Sequence, residues 1–148
     1  VSYSIDANLL LYAVNRDSAV HSAARRFIEQ CAERDDALCL TWSTINAFLR
    51  LSTDSRVAHK PLSPRDAREW IDELINLPQT RLLSEEPGFW KLYVEVAGPL
   101  NPRGAMVTDT HLATLLLQHG VRVLYTRDRD FRKFDFLKAV DPLGDVGG

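Results

Sequence analysis

Short apolar, β-prone runs alternate with helix-patterned stretches along the whole chain, and this alternation restricts the fold more than any other feature. "VSYSI" at Val1 to Ile5, "ALCLTW", "TRLL", the run from Val121 to Thr126 and a short tail segment near Lys138 to Val140 read as strands. Helical spacing follows the first of them. "LLLYAV" covers Leu9 to Val14, and "HSAARRFIEQCAER" sets Ala24, Phe27, Ile28 and Cys31 on one face. Ser43 is placed to cap "TINAFLRLS", with Ile45, Phe48 and Leu49 inward. After a turn-rich loop from Thr53 to Ser63, Ser63-Pro64 opens a helix in the favoured cap-then-proline order. It carries Ala67, Trp70, Ile71 and Leu74 inward, and Pro78 ends it. "PGFWKLYVEVAGPL" predicts a helix with Phe89, Trp90, Tyr93, Val94 and Ala97 as its apolar set. The stretch "NPRGAMVT" reads as a loop, Asp109 as the start of the helix "DTHLATLLLQHG", and Gly120 as its stop.

Strands separated by helices predict an α/β domain with a central, mainly parallel sheet flanked by helices. No repeat, low-complexity run or linker interrupts residues 1–148, so one domain is expected, with a flexible glycine-rich tail at about 144–148. At 148 residues, 45% hydrophobic and 26% charged, the chain is long and apolar enough to bury a core. Its net charge of -2 points to no polyanionic partner, so any such contact must come from a local patch. Cys31 and Cys39 match no zinc spacing and read as buried thiols in a reducing compartment. No apolar stretch approaches the ~18 residues that span a bilayer. No basic region precedes the first apolar run, unlike a signal peptide. The expected setting is cytoplasmic, without a membrane partner.

Parallel strands deliver their C-terminal ends to one edge, where ligands bind at the switch point of the topology. Asp6 follows "YSI", Asp109 opens "HLATLLL", and Asp128 and Asp130 follow "VRVLYT". Carboxylates brought together repel one another unless a cation neutralises them. Oxygen ligands of this kind suit Mg²⁺ or Mn²⁺, which can activate water for attack on phosphorus. Each acid also has a structural reading. Asp6 or Asn8 can cap the first helix, Asp109 can cap its own, and Asp128 and Asp130 can form a turn with Arg127 and Arg129. Pattern alone leaves both readings open. Other chemistries lack their parts: there is no Gly-rich phosphate loop, no G-x-S-x-G and no zinc-type histidine pair. A phosphotransfer or receiver-like domain would need a lysine beside its aspartate, and none stands beside Asp6 or Asp109.

"SIDANLLLYAV", "WSTINAFLRLST", "TDTHLATLLLQHG" and "LYTRDRDFRKF" resemble a PIN domain, and more closely a VapC-type toxin ribonuclease, in order and spacing from about Tyr3 to Pro142. The resemblance implies a Mg²⁺-dependent endoribonuclease, with Mn²⁺ as an alternative ion, acting as the toxin of a type II toxin–antitoxin pair. It implies an RNA substrate, a cognate antitoxin and a homodimer, with Ser18 to Glu33 and Pro64 to Asn76 as the dimer face. Asp6, Asp109 and Asp128 fall on the family's principal acidic positions and Asp130 on an accessory one. Thr126 takes the place of a small hydroxyl that orients a carboxylate or water, and Asn8 and Ser43 are candidate supports. One position departs from the pattern: the glutamate common before the "FLR" segment is Ala47. That departure motivates an alternative, a non-catalytic PIN-like module that binds RNA or protein.

From Arg122 to Lys138 there are six basic residues against three acids (Asp128, Asp130, Asp135). Arg127, Arg129, Arg132 and Lys133 are candidate RNA contacts, since phosphate contacts position nucleic acid without reading it. A solvated face with surface ion pairs is the other reading. A second basic stretch comprises Arg50, Arg56, His59, Lys60 and Arg65. His111 reads as a helix-face residue or a general base, and His119 as a partner of the helix dipole. Trp42, Trp70 and Trp90 read as core or interface anchors, or as platforms for a base.

Overall fold

A computed structural model describes residues 1–144. Its elements follow the expected alternation: β1 (Ser2–Ile5), α1 (Ala7–Val14), α2 (His21–Glu33), β2 (Ala37–Thr41), α3 (Trp42–Ser52) and α4 (Pro64–Ile75). Then come β3 (Thr80–Leu83), α5 (Phe89–Ala97), α6 (Ala105–Gln118), β4 (Val123–Tyr125), a 3-10 turn (Arg129–Lys133) and β5 (Lys138–Val140). The strands form one sheet in the order β3-β2-β1-β4-β5, and every pairing in it is parallel. The expected flexible tail lies mostly outside the described residues.

Strand order explains where the helices lie. The chain steps outward from β1 to β2 to β3, then returns across the sheet to β4. Right-handed crossovers in opposite directions place their helices on opposite faces. The side chains agree, because successive strand residues point to opposite faces. Tyr3, Ile5, Leu38 and Leu40 join one core with Leu9, Leu10, Phe27, Phe48 and Ile71 of α1–α4. Cys39, Leu83 and Leu124 join a second core with Leu112, Ala113 and Leu116 of α6. Between β1 and β4 the direction of winding reverses. That is the switch point, and Asp6 leaves the sheet there with its amide donating to the Tyr125 carbonyl at 2.9 Å.

Three local expectations are corrected. Ser43 does not cap α3; β2 runs straight into the helix, and Thr41 accepts the Thr44 amide at 3.1 Å while Ser43 is already helical. Asp109 does not open α6. Gly104 adopts φ +57° and ψ -130°, a conformation open to glycine, and lets the helix begin at Ala105, one turn before Asp109. The apolar set assigned to α5 holds only in part: Phe89, Tyr93 and Ala97 are half-buried, but Val94 and Trp90 are exposed, Trp90 to 73%, and no residue of α5 is fully buried. Val96 and Leu100 make the contact with the second core. Lys91 and Glu95, one turn apart, mark the outer face of this nine-residue helix, and Trp90 and Val94 share that face.

Other expectations hold. Ser63 caps α4 through the Asp66 amide at 3.0 Å. Gly120 ends α6 at φ +70°. Cys31 and Cys39 are free and buried. Of the tryptophans, Trp70 stacks on Phe48, while Trp42 and Trp90 are exposed. Among the described residues no helix is long and apolar enough to cross a membrane.

Candidate metal centre

Three elements deliver acids to the C-terminal edge of the sheet. Asp6 stands at the end of β1, Asp128 follows β4, and Asp109 projects from the second turn of α6. Asp128 caps the 3-10 turn by accepting the Asp130 amide at 2.9 Å, which fixes Asp130 beside it. One carboxylate oxygen from each of Asp109, Asp128 and Asp130 lies within 4.8 Å of the others. Asp6 stands outside that trio but is tied to it. The Thr126 hydroxyl donates to Asp6 Oδ2 at 2.8 Å and accepts the Asp128 amide at 3.0 Å. Thr126 is buried, so one side chain sets the positions of two acids.

The electrostatics are those of a site short of positive charge. Burial pushes the Asp109 carboxyl up to about 6, and repulsion from Asp128, Asp6 and Asp130 adds to it, with Lys133 opposing. Burial also raises Asp6, against the Thr126 hydrogen bond, and Asp128 adds repulsion. Lys133 Nζ lies 3.9 Å from Asp130 Oδ1, a long contact that only partly offsets this charge. All-oxygen donors, convergent and partly buried, fit a hard divalent cation such as Mg²⁺ or Mn²⁺.

The remaining sequence candidates divide. Arg127 pairs with Asp141 at 3.3 Å, while Arg129 and Arg132 are exposed. With Asp128 these arginines border an open cavity of about 400 Å³ beside the acids. Asn8 is exposed in the first turn of α1. Ala47 is half-buried on α3, one helical turn after Ser43. His111 donates from Nε2 to Glu85 Oε1 at 2.8 Å and touches the Phe89 ring, a structural arrangement linking α6 to the start of α5. His119 donates to the Ser84 carbonyl at 2.7 Å.

Sequence reasoning missed Thr41. Its hydroxyl lies 3.0 Å from both Ser43 Oγ and Thr44 Oγ1, forming a hydroxyl cluster at the end of β2. A threonine at a strand end followed directly by a helix is the signal that could have found it.

The PIN domain family model matches residues 3–137. The chain is 34% identical over 143 residues to Ribonuclease VapC48 of Mycobacterium tuberculosis, an alignment covering 97% of this chain and 99% of that one. It is 32% identical over 139 residues to Ribonuclease VapC43 of the same organism, covering 94% of each. Its fold is similar to that of VapBC2 from Rickettsia felis, solved bound to a DNA fragment from their promoter. The TM-score there is 0.68 at 13% identity, covering 95% of this chain and 98% of that one. With a family model spanning nearly all its elements and relatives aligned end to end, the chain belongs to the PIN-domain family, alongside the VapC-type ribonucleases.

Proposed function

We propose that the chain is a Mg²⁺-dependent endoribonuclease and the toxin of a toxin–antitoxin pair. The observation that carries this reading is the convergence of Asp109, Asp128 and Asp130, tied through Thr126 to Asp6, at the sheet's switch point. Mg²⁺, or Mn²⁺, held by these carboxylates would supply an activated water and offset negative charge on a backbone phosphate. Thr126 holds Asp6 and Asp128 in register. Arg129 and Arg132, exposed at the cavity's rim, attract the flanking phosphates. The names of the ribonuclease relatives support RNA as substrate, and the VapBC2 assembly supports a cognate antitoxin as partner. The same reading places the protein in the cytoplasm as a homodimer; its unpaired, buried thiols fit a reducing compartment. Light scattering after size exclusion reports the dimer.

Ala47 favours a second reading, a PIN-like module that binds RNA or protein without cutting. Purified, antitoxin-free protein incubated with a broad RNA panel separates the two. Cleavage that needs Mg²⁺ or Mn²⁺, stops with chelator and is lost in Asp109→Asn establishes the nuclease. No cleavage on any RNA, with no divalent ion bound in calorimetry, overturns it.

A further inference from the structure

Trp42 is 53% exposed, although it follows a fully buried strand end and begins a capped helix. Its position explains why this matters. β1 and β2 pair with Ser4 opposite Cys39, and the same offset sets Asp6, just past β1, level with Thr41, the last residue of β2, which Trp42 follows directly. Neighbouring strands lie about 4.8 Å apart, which puts the backbone at residues 41–42 one strand's width from Asp6. Arg129 and Arg132 lie in the segment after β4, on the other side of Asp6, because β1 separates β2 from β4. An RNA strand crossing this edge would meet arginines, then acids, then an indole. The backbone beneath that indole is firmly placed: Thr41 is buried, caps α3 and bonds to Ser43 and Thr44.

We propose that Trp42 is the nucleobase platform of this site, stacking one unpaired base next to the phosphate at the acids. The inference rests on the ribonuclease reading and deepens it, because carboxylates and arginines engage the backbone of any sequence. A base contact is what selects the point of cleavage. An aromatic face takes a base only when that base is unstacked, so the preferred substrate is a single-stranded segment or loop. Stacking tolerates every base but favours the larger face of a purine.

The test uses the full chain with Trp70→Phe and Trp90→Phe, leaving Trp42 as its one indole. Short single-stranded oligoadenylate and oligouridylate are titrated in chelator, where binding is read as fluorescence quenching without cleavage. Quenching should be stronger with oligoadenylate. With Mg²⁺, Trp42→Ala should lower kcat/KM by roughly 5- to 100-fold on single-stranded RNA, mostly through KM, and Trp42→Tyr should recover most of it. An abasic nucleotide at the stacked position should remove the difference between wild type and Trp42→Ala. Full cleavage by Trp42→Ala overturns the inference while the ribonuclease reading stands. Quenching without cleavage by the wild type leaves the platform standing and removes the nuclease. Absence of quenching, or a loss confined to binding of a protein antitoxin, also overturns the platform.

Discussion

The α1–α4 face of the sheet buries Leu9, Leu10 and Phe48 completely, whereas α5 on the opposite face buries no residue fully and leaves Trp90 73% exposed. Both faces rest on the same strands, so the difference lies in what supports each helix. The inner residues of α1 and α3 enter the core that contains Tyr3, Ile5, Leu38 and Leu40. α5 packs mainly on α6, partly through the Phe89 contact with His111. The candidate metal centre joins these two settings. Asp6 grows from the central strand and Asp109 from α6, the helix that buries Leu112, Leu115 and Leu116. α6 can therefore hold an acid firmly while its neighbour α5 stays peripheral.

The sharpest way to break this contrast is to truncate one aromatic on each face. Phe48→Ala should cost about 3–5 kcal/mol in denaturant unfolding, because a fully buried ring leaves a cavity. Trp90→Ala should cost about 1 kcal/mol or less, as for an exposed position. Equal losses would show that α5 is a core helix. Next, Asp128→Asn should lower RNA cleavage by at least about 100-fold while changing stability little, since asparagine also caps the turn. A matching loss of stability and activity would make Asp128 structural.

Gly104→Ala probes the start of α6. Nothing lies within 4 Å of the added methyl, so the cost is backbone strain alone, about 1–3 kcal/mol, read as a lower unfolding midpoint. No change would mean that α6 does not need that conformation.

The smallest effect should come from pH. The Asp109 carboxyl titrates near 6 when folded, above its ordinary value, so folding favours its protonated form. Its contribution is fully present below the unfolded value, about 3.9, and is lost as pH rises through about 6. Metal-free protein should therefore lose melting temperature between about pH 4 and 6.5, with a shallower slope in Asp109→Asn. Mg²⁺ should restore stability at neutral pH and chelator should remove the gain. An identical slope in wild type and variant would show that neither burial nor repulsion raises the Asp109 carboxyl on folding.

The α1–α4 layer was legible chiefly because helices such as α2 and α4 carry a polar face and an apolar stripe, as Ala24, Phe27, Ile28 and Cys31 illustrate on α2. α5 was misread because Trp90 and Val94 are apolar yet lie on the exposed face marked by Lys91 and Glu95. Asp109 does stand among the acids, but its place along the helix was misread. "NPRGA" contains a proline and a glycine that read as a loop, yet Gly104 starts the helix. The exposure of Trp42 was equally hidden, since periodicity treats a tryptophan after an apolar strand as core.

Local sequence by itself determined the alternation of strands and helices and placed Asp6 and Asp128 just beyond strand ends, because hydrophobic period and chain-breaking residues act over a few positions. Tertiary structure alone decided which acids meet. Strand order sets β1 beside β4, and a hydrogen bond between residues 120 apart then ties Asp6 to Thr126. The return crossover lays α6 over the second face and brings Asp109 to Asp128 and Asp130. No local pattern encodes that convergence, because its partners are joined only through the packed sheet.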